Sequence, residues 1–331
     1  MKKLLALALA ATMALSLAAC GGAKEEPAAP SEPATEAPAA ETYKVGICQL
    51  APHPALDAAT QGFIDALNEA LPGQVEFDNQ NAAGESATCA TIVNGFVSAD
   101  VDLIMANATP ALQAAVAATS DIPVLGTSVT EYGVALGIDN FSGTVGTNVS
   151  GTSDLAPLDE QAAMVKEWFP EAKTVGLLYC SAEANSQYQV DTVQAELEKL
   201  GLTCTQYPFS DTNDMASVTQ SAVDNSDVLY IPTDNTCANN AGIIDNIARP
   251  AGVPAICGEE GICGGCGVAT LSISYYDLGV ATGKMAAKIL TGEADIAEMP
   301  IEYAPQFTKK YNETICTDLG LTVPEGYEAI A

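Results

Sequence analysis

The chain has 331 residues, with 42 Asp and Glu against 12 Lys and Arg and a net charge of -30. So acidic a surface repels nucleic acid and anionic lipid headgroups, which excludes both as expected partners. Arg249 is the only arginine, and between the N-terminal leader and Lys166 only Lys24 and Lys44 are basic. A neutral, cationic or zwitterionic small molecule therefore suits the chain better than a polyanion.

The first element in chain order is a leader. Lys2 and Lys3 precede an Ala/Leu run from Leu4 to Ala19, closed by Leu17-Ala18-Ala19-Cys20. A positive start, a short apolar run and small residues before a cysteine form a secretory signal ending in a lipobox. Cleavage before Cys20 leaves a thiol to take a diacylglycerol. The run is shorter than the ~20 residues that span a bilayer, which argues against a transmembrane anchor. Each buried methylene of an acyl chain contributes ~0.8 kcal/mol, so two or three chains tether a domain firmly. Removing the leader deletes two lysines and no acid, taking the net charge from -30 to -32. Gly21 to Thr42 is almost wholly Ala, Pro, Glu, Gly, Ser and Thr, a composition that cannot bury enough apolar surface to order itself. The expected organisation is a signal peptide at 1–19, then a lipidated cysteine and disordered spacer at 20–42. The rest works outside the cytoplasm of a bacterium, lipid-anchored to its membrane.

From Tyr43, β-branched runs alternate with helical patterns, the signature of a parallel sheet wound with helices. Lys44–Cys48 reads as a strand. A helix over Leu56–Leu71 follows, with Phe63, Leu67 and Ala70 on one face and a stop at Pro72-Gly73. Val75–Asp78, Val101–Met105 and Ile122–Leu125 are the next strands. Helices intervene at Ser86–Ser98 and Pro110–Ala118, the latter with Thr109 as N-cap. After a Gly/Ser/Thr/Asn-rich stretch the alternation resumes. Strands are expected at Thr174–Tyr179, Leu202–Tyr207, Asp227–Ile231, Val253–Ile256 and Val268–Ser272. Helices are expected up to Leu200, at Met215–Asp224 and Ala238–Ala248, and finally over Tyr276–Leu290. Two such arrays predict an α/β chain of two doubly wound lobes with a cleft between them.

The chemistry of such sheets lies beyond the carboxyl ends of their strands. There the chain carries Gln49 and His53, then Asn107 and Thr109. The second array supplies Ser181, Glu183, Asn185 and Ser186, then Thr233, Asp234, Asn235 and Thr236. All are neutral or acidic apart from His53. Helix N-termini can hold a carboxylate without arginine, and Asp234 or Glu183 can take an ammonium. Taken singly, these residue types also cap ordinary helices. Four strands ending in polar clusters favour a binding cleft. His53, the only histidine, excludes a metal site built on several imidazoles, and its place between two prolines suits a surface or cleft-lining role better than catalysis.

Nine cysteines follow Cys20. Cys257, Cys263 and Cys266 lie in a Gly-rich stretch that reads as a loop, and Cys263-Gly-Gly-Cys266 lacks the second pair a zinc site needs. It also lacks the strand-to-helix setting of a redox CxxC. Structural disulfides or buried thiols are expected.

The stretch KVGICQLAPHPALD (Lys44–Asp57) resembles the start of the substrate-binding lipoproteins of ABC importers for tryptophan, tyrosine or phenylalanine. Ala108-Thr109-Pro110, NVSGTSD (Asn148–Asp154), SAEANS (Ser181–Ser186), PTDNT (Pro232–Thr236), and Tyr276–Gly279 with Thr282–Ala286 extend that resemblance over nearly the whole chain after the spacer. It implies a type I periplasmic-binding-protein fold with three interlobe crossings. The first lobe would take residues 43–152 plus 276–304, and the second 153–275 plus 305–331. It makes Thr109, Asp154, Asn185, Ser186 and Asp234 the leading contacts for an amino-acid backbone, with Gln49, Glu183 and Asn235 behind them. Thr130-Glu131-Tyr132 stands where family members usually carry Thr-Asp-Pro in a cleft-facing turn, which bears on ligand identity.

The implied function is an extracytoplasmic monomer that closes on a small zwitterion, an aromatic amino acid above all, and docks on an ABC permease served by an ATPase subunit. No cofactor is implied, and the chain carries no P-loop. Rival readings are a receptor that signals, a sugar or nucleoside binder of the same fold, and a secreted hydrolase. The last lacks a GxSxG elbow and has His53 as its only histidine base.

Overall fold

Three of the first five strands of the folded chain, the inner ones at 43–49, 103–107 and 124–129, read as apolar runs because helices cover both of their faces. The computed structural model describes residues 42–330; the expected signal peptide, Cys20 and all but the last residue of the expected spacer lie outside them. Strands β1 (Tyr43–Gln49), β2 (Val75–Asn81), β3 (Leu103–Asn107), β4 (Val124–Val129) and β5 (Val149–Ser153) alternate with helices α1 (Pro54–Ala70), α2 (Ser86–Ser98), α3 (Thr109–Ala118) and α4 (Tyr132–Leu136). Every residue of β3, β4 and β5 is buried, as expected for inner parallel strands. The edge strand β2 is mostly exposed.

A second array follows: α5 (Leu158–Trp168), β6 (Thr174–Cys180), α6 (Ala184–Lys199), β7 (Thr203–Phe209), α7 (Thr212–Asn225), β8 (Val228–Ile231), α8 (Asn235–Asn239), α9 (Ala241–Ala251), β9 (Ala255–Cys257), α10 (Glu260–Cys266) and β10 (Ala269–Ser272). Helix α11 (Tyr275–Leu290), β11 (Glu302–Tyr303), β12 (Thr308–Tyr311), α12 (Glu313–Asp318) and β13 (Glu328–Ala329) complete the chain.

The first sheet has the order β11-β5-β4-β3-β1-β2 and the second β13-β12-β10-β9-β8-β6-β7. All pairings are parallel except β10 with β12. The chain thus passes between sheets after β5, after β10 and after β11. Each sheet has helices on both faces. In the first, Phe96, Leu112 and Tyr132 pack on one side, and Phe63, Leu67 and Met285 on the other. In the second, Trp168, Leu197 and Tyr230 lie opposite Phe209, Met215 and Ile244.

Helix α11 follows β10 of the second sheet in sequence yet packs on α1 of the first. The fit requires glycine: a Cβ on Gly279 would lie 2.0 Å from the Ala59 carbonyl oxygen, and one on Gly62 2.1 Å from that of Tyr276.

Three local expectations need correction. The Cys257–Cys266 stretch is not a loop, since Glu260–Cys266 is helical. Glu259 caps that helix by accepting the N–H groups of Gly261 and Ile262, and buried Ile262, Cys263 and Cys266 anchor it. Thr109 is the first residue of α3 rather than its N-cap; Ala108 takes the cap with φ 92° and no side-chain bond. The expected helix Ala238–Ala248 is two helices, broken at Asn240, with Pro250 inside the second.

Candidate functional site

Both sheets share one strand logic. In each, the first strand of the array sits between the second and third, so the connections leave in opposite directions and open a crevice at the carboxyl ends of the strands. The two crevices face each other across one small enclosed cavity. From the first sheet it is lined by His53 and Leu56 beyond β1, Ser128 and Thr130 at the end of β4, and Asp154 after β5. From the second come Asn185 beyond β6, Thr233, Asp234, Asn235 and Ala238 beyond β8, Glu259 beyond β9 and Tyr275 beyond β10. The enclosed free volume is about 10 Å³, room for roughly one water. A ligand of amino-acid size therefore requires the lobes to part. Outside this cavity, a groove of about 460 Å³ runs between the lobes past Ser86, Pro110, Glu183, Thr212 and Asn235.

Of the residues singled out from the sequence, Asp154, Asn185, Asp234 and Asn235 line the cavity; Gln49, Thr109, Glu183 and Ser186 do not. Asp154 is buried, and its Oδ2 accepts from the Tyr275 hydroxyl at 3.0 Å. Its Oδ1 has no partner in the protein. Asn185 donates Nδ2 to Glu183 Oε2 at 3.2 Å and to the Thr233 carbonyl at 3.1 Å, which leaves Oδ1 turned away from them and unpartnered. Asp234 caps α8 through Oδ1, which accepts from Cys237 N at 2.8 Å. Its Oδ2 takes the Cys180 N–H at 2.7 Å and the Ser186 hydroxyl at 2.8 Å. Ser186 thus orients Asp234.

Glu183 is saturated. Its Oε1 accepts the N–H and hydroxyl of Thr236, both at 2.8 Å, and its Oε2 the N–H and side-chain amide of Asn235 at 3.1 and 2.7 Å. Gln49 is spent inside the first lobe, donating to Ala51 O at 2.8 Å and Asp57 Oδ1 at 2.6 Å while accepting from Thr60 at 2.7 Å. It braces the turn that carries His53. Thr109 is buried beneath the cleft at the start of α3.

Sequence reasoning missed Ser128, Tyr275 and Glu259. Ser128 has φ 54°, a left-handed conformation rare for a non-glycine residue, and its buried hydroxyl has no partner in the protein. No sequence pattern announces it, because β4 reads as an ordinary buried strand. Glu259 follows a strand end as the other polar residues do, and that placement could have found it. His53 does line the cleft, and its Nε2 lies 3.3 Å from Asn235 Oδ1 of the opposite lobe. In the Thr130–Tyr132 turn, Thr130 lines the cavity. Glu131 instead caps α4, and Tyr132 is buried with its hydroxyl on the Thr152 carbonyl.

The electrostatics are one-sided. No lysine or arginine lines the cavity, and three carboxyl groups do. Burial pushes Asp154 above the ordinary carboxylate range, against the hydrogen bond from the Tyr275 hydroxyl. Burial, and next the charge of Glu183, raises Asp234 to about 7. Glu259 is also raised to about 7 by burial, against the two backbone N–H groups it caps. Such a wall favours a cationic group at its centre. The nine cysteines among the described residues are free thiols, all buried except the half-buried Cys204. Burial holds Cys263 protonated, which opposes thiolate chemistry at Cys263-Gly-Gly-Cys266. Among the described residues no group of His, Cys, Asp and Glu is arranged to hold a metal, and no helix is long and apolar enough to cross a membrane.

Known proteins agree with this architecture. Residues 44–331 match the ABC transporter substrate binding protein family. A tyrosine-binding protein of Clostridioides difficile is 33% identical over 303 residues, covering 91% of this chain and 87% of that protein. Among solved structures, the ABC domain in complex with L-Trp from Streptococcus pneumonia superposes with a TM-score of 0.83 at 32% identity, covering 88% of this chain and all of that one. The ligand-free, open structure of a substrate-binding protein with adhesive properties from Clostridium difficile is closer in sequence, at 37% identity. It covers 87% of this chain and 99% of its own, yet its TM-score is only 0.67. This chain thus superposes better on the complex than on the open protein, and His53 here bridges to Asn235 of the other sheet. The chain belongs to the ABC transporter substrate-binding proteins, and its interlobe cavity lies where the two sheets of that fold face each other.

Proposed function

We propose that this protein is an extracytoplasmic lipoprotein, anchored through Cys20, that captures an aromatic amino acid and presents it to an ABC permease by closing its two lobes. The moving bodies are residues 43–152 plus 276–304 and residues 153–275 plus 305–331. One observation carries the reading. Four of the buried polar atoms without a partner in the protein, His53 Nδ1, Ser128 Oγ, Asp154 Oδ1 and Asn185 Oδ1, belong to residues of this one cavity. Each such atom costs about 1–3 kcal/mol if left unpaired, so the site is built for a polar guest. Two are acceptors that a ligand ammonium would satisfy, and the Ser128 hydroxyl can donate to the ligand carboxylate. Asp234 adds charge from beneath, held by Ser186. Glu183 and Asn235 form the rim, and Gln49 and Thr109 support it.

A micromolar dissociation constant corresponds to about 8 kcal/mol. Charge-assisted hydrogen bonds at Asp154 and its neighbours, plus burial of one aromatic side chain, supply that amount. Contacts made only in the closed form shift the lobes toward closure by their difference in affinity. The protein acts as a monomer that binds without catalysis, and ATP hydrolysis belongs to a separate subunit. The tyrosine-binding relative and the L-Trp complex favour an aromatic side chain over other amino acids.

Thermal unfolding against the twenty amino acids, several sugars and nucleosides tests this reading. A ligand at 100 times its dissociation constant adds about 2.7 kcal/mol of stability, which raises the melting temperature by several degrees. A rise with Tyr, Trp or Phe is expected. A rise with a sugar or nucleoside and none with any amino acid would overturn the proposal.

A further inference from the structure

One imidazole connects the two lobes and also borders the cavity. His53 stands at the N-terminus of α1, where its side chain makes no capping bond. Its Nε2 meets Asn235 Oδ1 across the cleft at 3.3 Å. The orientation of that amide is fixed, because Asn235 Nδ2 donates to the Glu183 carboxylate at 2.7 Å. The atom facing His53 is therefore an acceptor, and Nε2 must carry the hydrogen. A neutral ring of that tautomer has a bare lone pair on Nδ1. That nitrogen is buried and has no partner in the protein.

The cavity then holds three unpartnered acceptors: His53 Nδ1 from the first lobe, Asp154 Oδ1 from the end of β5, and Asn185 Oδ1 from the second lobe. An ammonium carries three N–H groups, and this set matches it one for one. We propose that His53 is an ammonium-binding residue and a closure latch at once, its Nδ1 accepting from the ligand's amino group while its Nε2–H holds Asn235 of the opposite lobe. The inference rests on the amino-acid reading above and deepens it, since binding and closure then select the same neutral ring.

A proton on Nδ1 would fill that lone pair and set a cation against the ammonium. The groups facing the ring are Asp57 on α1, Glu183 at the start of α6 and Asn235 on α8. Asp154, Asp234, Glu259 and the Tyr275 hydroxyl share the cavity with it. Burial lowers the His53 pKa below its usual 6.5, against the pull of Asn235, Glu183 and Asp57. The ring is therefore neutral at pH 7, and its acid sensitivity lies below pH 6.5. Asp234 and Glu259, raised to about 7, titrate above it.

The test is calorimetric titration with L-tyrosine from pH 5 to pH 8, with lobe closure followed by small-angle scattering. It compares the unaltered protein with His53→Gln, whose amide nitrogen replaces Nε2, and with His53→Asn, whose carbonyl oxygen replaces Nδ1. In the unaltered protein, affinity falls toward tenfold per pH unit once the ring titrates. His53→Gln closes on the ligand but binds about tenfold or more weakly at pH 7.5, and below pH 6.5 its affinity falls less steeply than that of the unaltered protein, keeping only the loss due to Asp234 and Glu259. His53→Asn binds more tightly than His53→Gln at pH 7.5 and closes less completely. Equal affinity and an equal acid limb in His53→Gln and the unaltered protein would overturn the inference while leaving the amino-acid reading intact. Failure of the unaltered protein to bind L-tyrosine, L-tryptophan or L-phenylalanine would overturn both.

Discussion

Two carboxylates that look alike in sequence do opposite work here, and hydrogen-bond accounting separates them. Glu183 accepts from Thr236 and Asn235 through both oxygens, so its charge is consumed in holding α8. Asp154 accepts one protein hydrogen bond on Oδ2 and leaves Oδ1 free for a guest. In Asp154→Asn, the amide oxygen can still accept from Tyr275, and a costly buried charge is lost. The expected result is a 10- to 100-fold or so loss of amino-acid affinity with the melting temperature of the ligand-free protein unchanged or raised. Glu183→Gln should reverse the pattern. It turns an amide NH2 toward N–H donors and lowers the melting temperature by several degrees, because unpaired buried groups cost about 1–3 kcal/mol each. Titration calorimetry and melting on both variants check the pair; equal effects on stability would show the distinction to be false. The sequence could not separate them, since each is an acidic residue beyond a strand end. Which oxygen remains free depends on neighbours more than fifty residues away.

At the scale of elements, the parts legible in the sequence are those with strong periodicity or clear stops. Strands β1, β3 and β4 show as apolar runs because both faces of an inner parallel strand are covered. Helices α1 and α11 show through their apolar faces and glycine stops. Helix α5 carries an equally plain amphipathic pattern, absent from the expected elements: Leu158, Ala162 and Val165 are buried on one face, and Asp159 and Glu160 lie in its first turn. Strand β5, VSGTS, carries no β pattern and is a strand only because β4 and β11 flank it. In α10, three glycines argue for a loop, yet the Glu259 cap and the buried Ile262, Cys263 and Cys266 override that preference. The α1–α11 contact is a tertiary feature of the same kind. It lets a helix that follows β10 of the second sheet belong to the first. Gly279→Ala would place a methyl 2.0 Å from the Ala59 carbonyl oxygen, a backbone group with little freedom to yield. The expected cost is about 3 kcal/mol, read as a melting temperature lowered by several degrees both with and without ligand. A change of under one degree would mean that the two helices tolerate a wider spacing.

For the whole molecule, closure brings Asp154, Asp234 and Glu259 around about 10 Å³ of free space with no basic side chain among the lining residues. That arrangement sets the sign of the response to pH. Asp234 and Glu259 rise from 3.8 and 4.5 in the unfolded chain to about 7 in the closed protein. The folded state therefore binds protons more tightly than the unfolded state between pH 4 and 7. Their contribution to stability is fully present below pH 4 and is lost as pH rises through 7. The ligand-free protein should accordingly lose melting temperature from about pH 4.5 to pH 7.5, and its lobes should spread as the two groups ionise and repel Asp154. An ammonium in the cavity favours the ionised carboxylates, so it lowers their pKa values and expels protons on binding. Near pH 7, the observed binding enthalpy of L-tyrosine should therefore vary with the ionisation enthalpy of the buffer, in the sense of proton release. Release should vanish at pH 8.5, where both groups are already ionised, and shrink in Glu259→Gln. Uptake of protons at pH 7, or an enthalpy independent of buffer, would mean that the carboxyl wall does not face the ligand's cation. With release established, the acidity of this cavity is what keeps the lobes apart until a cationic amino group draws them together.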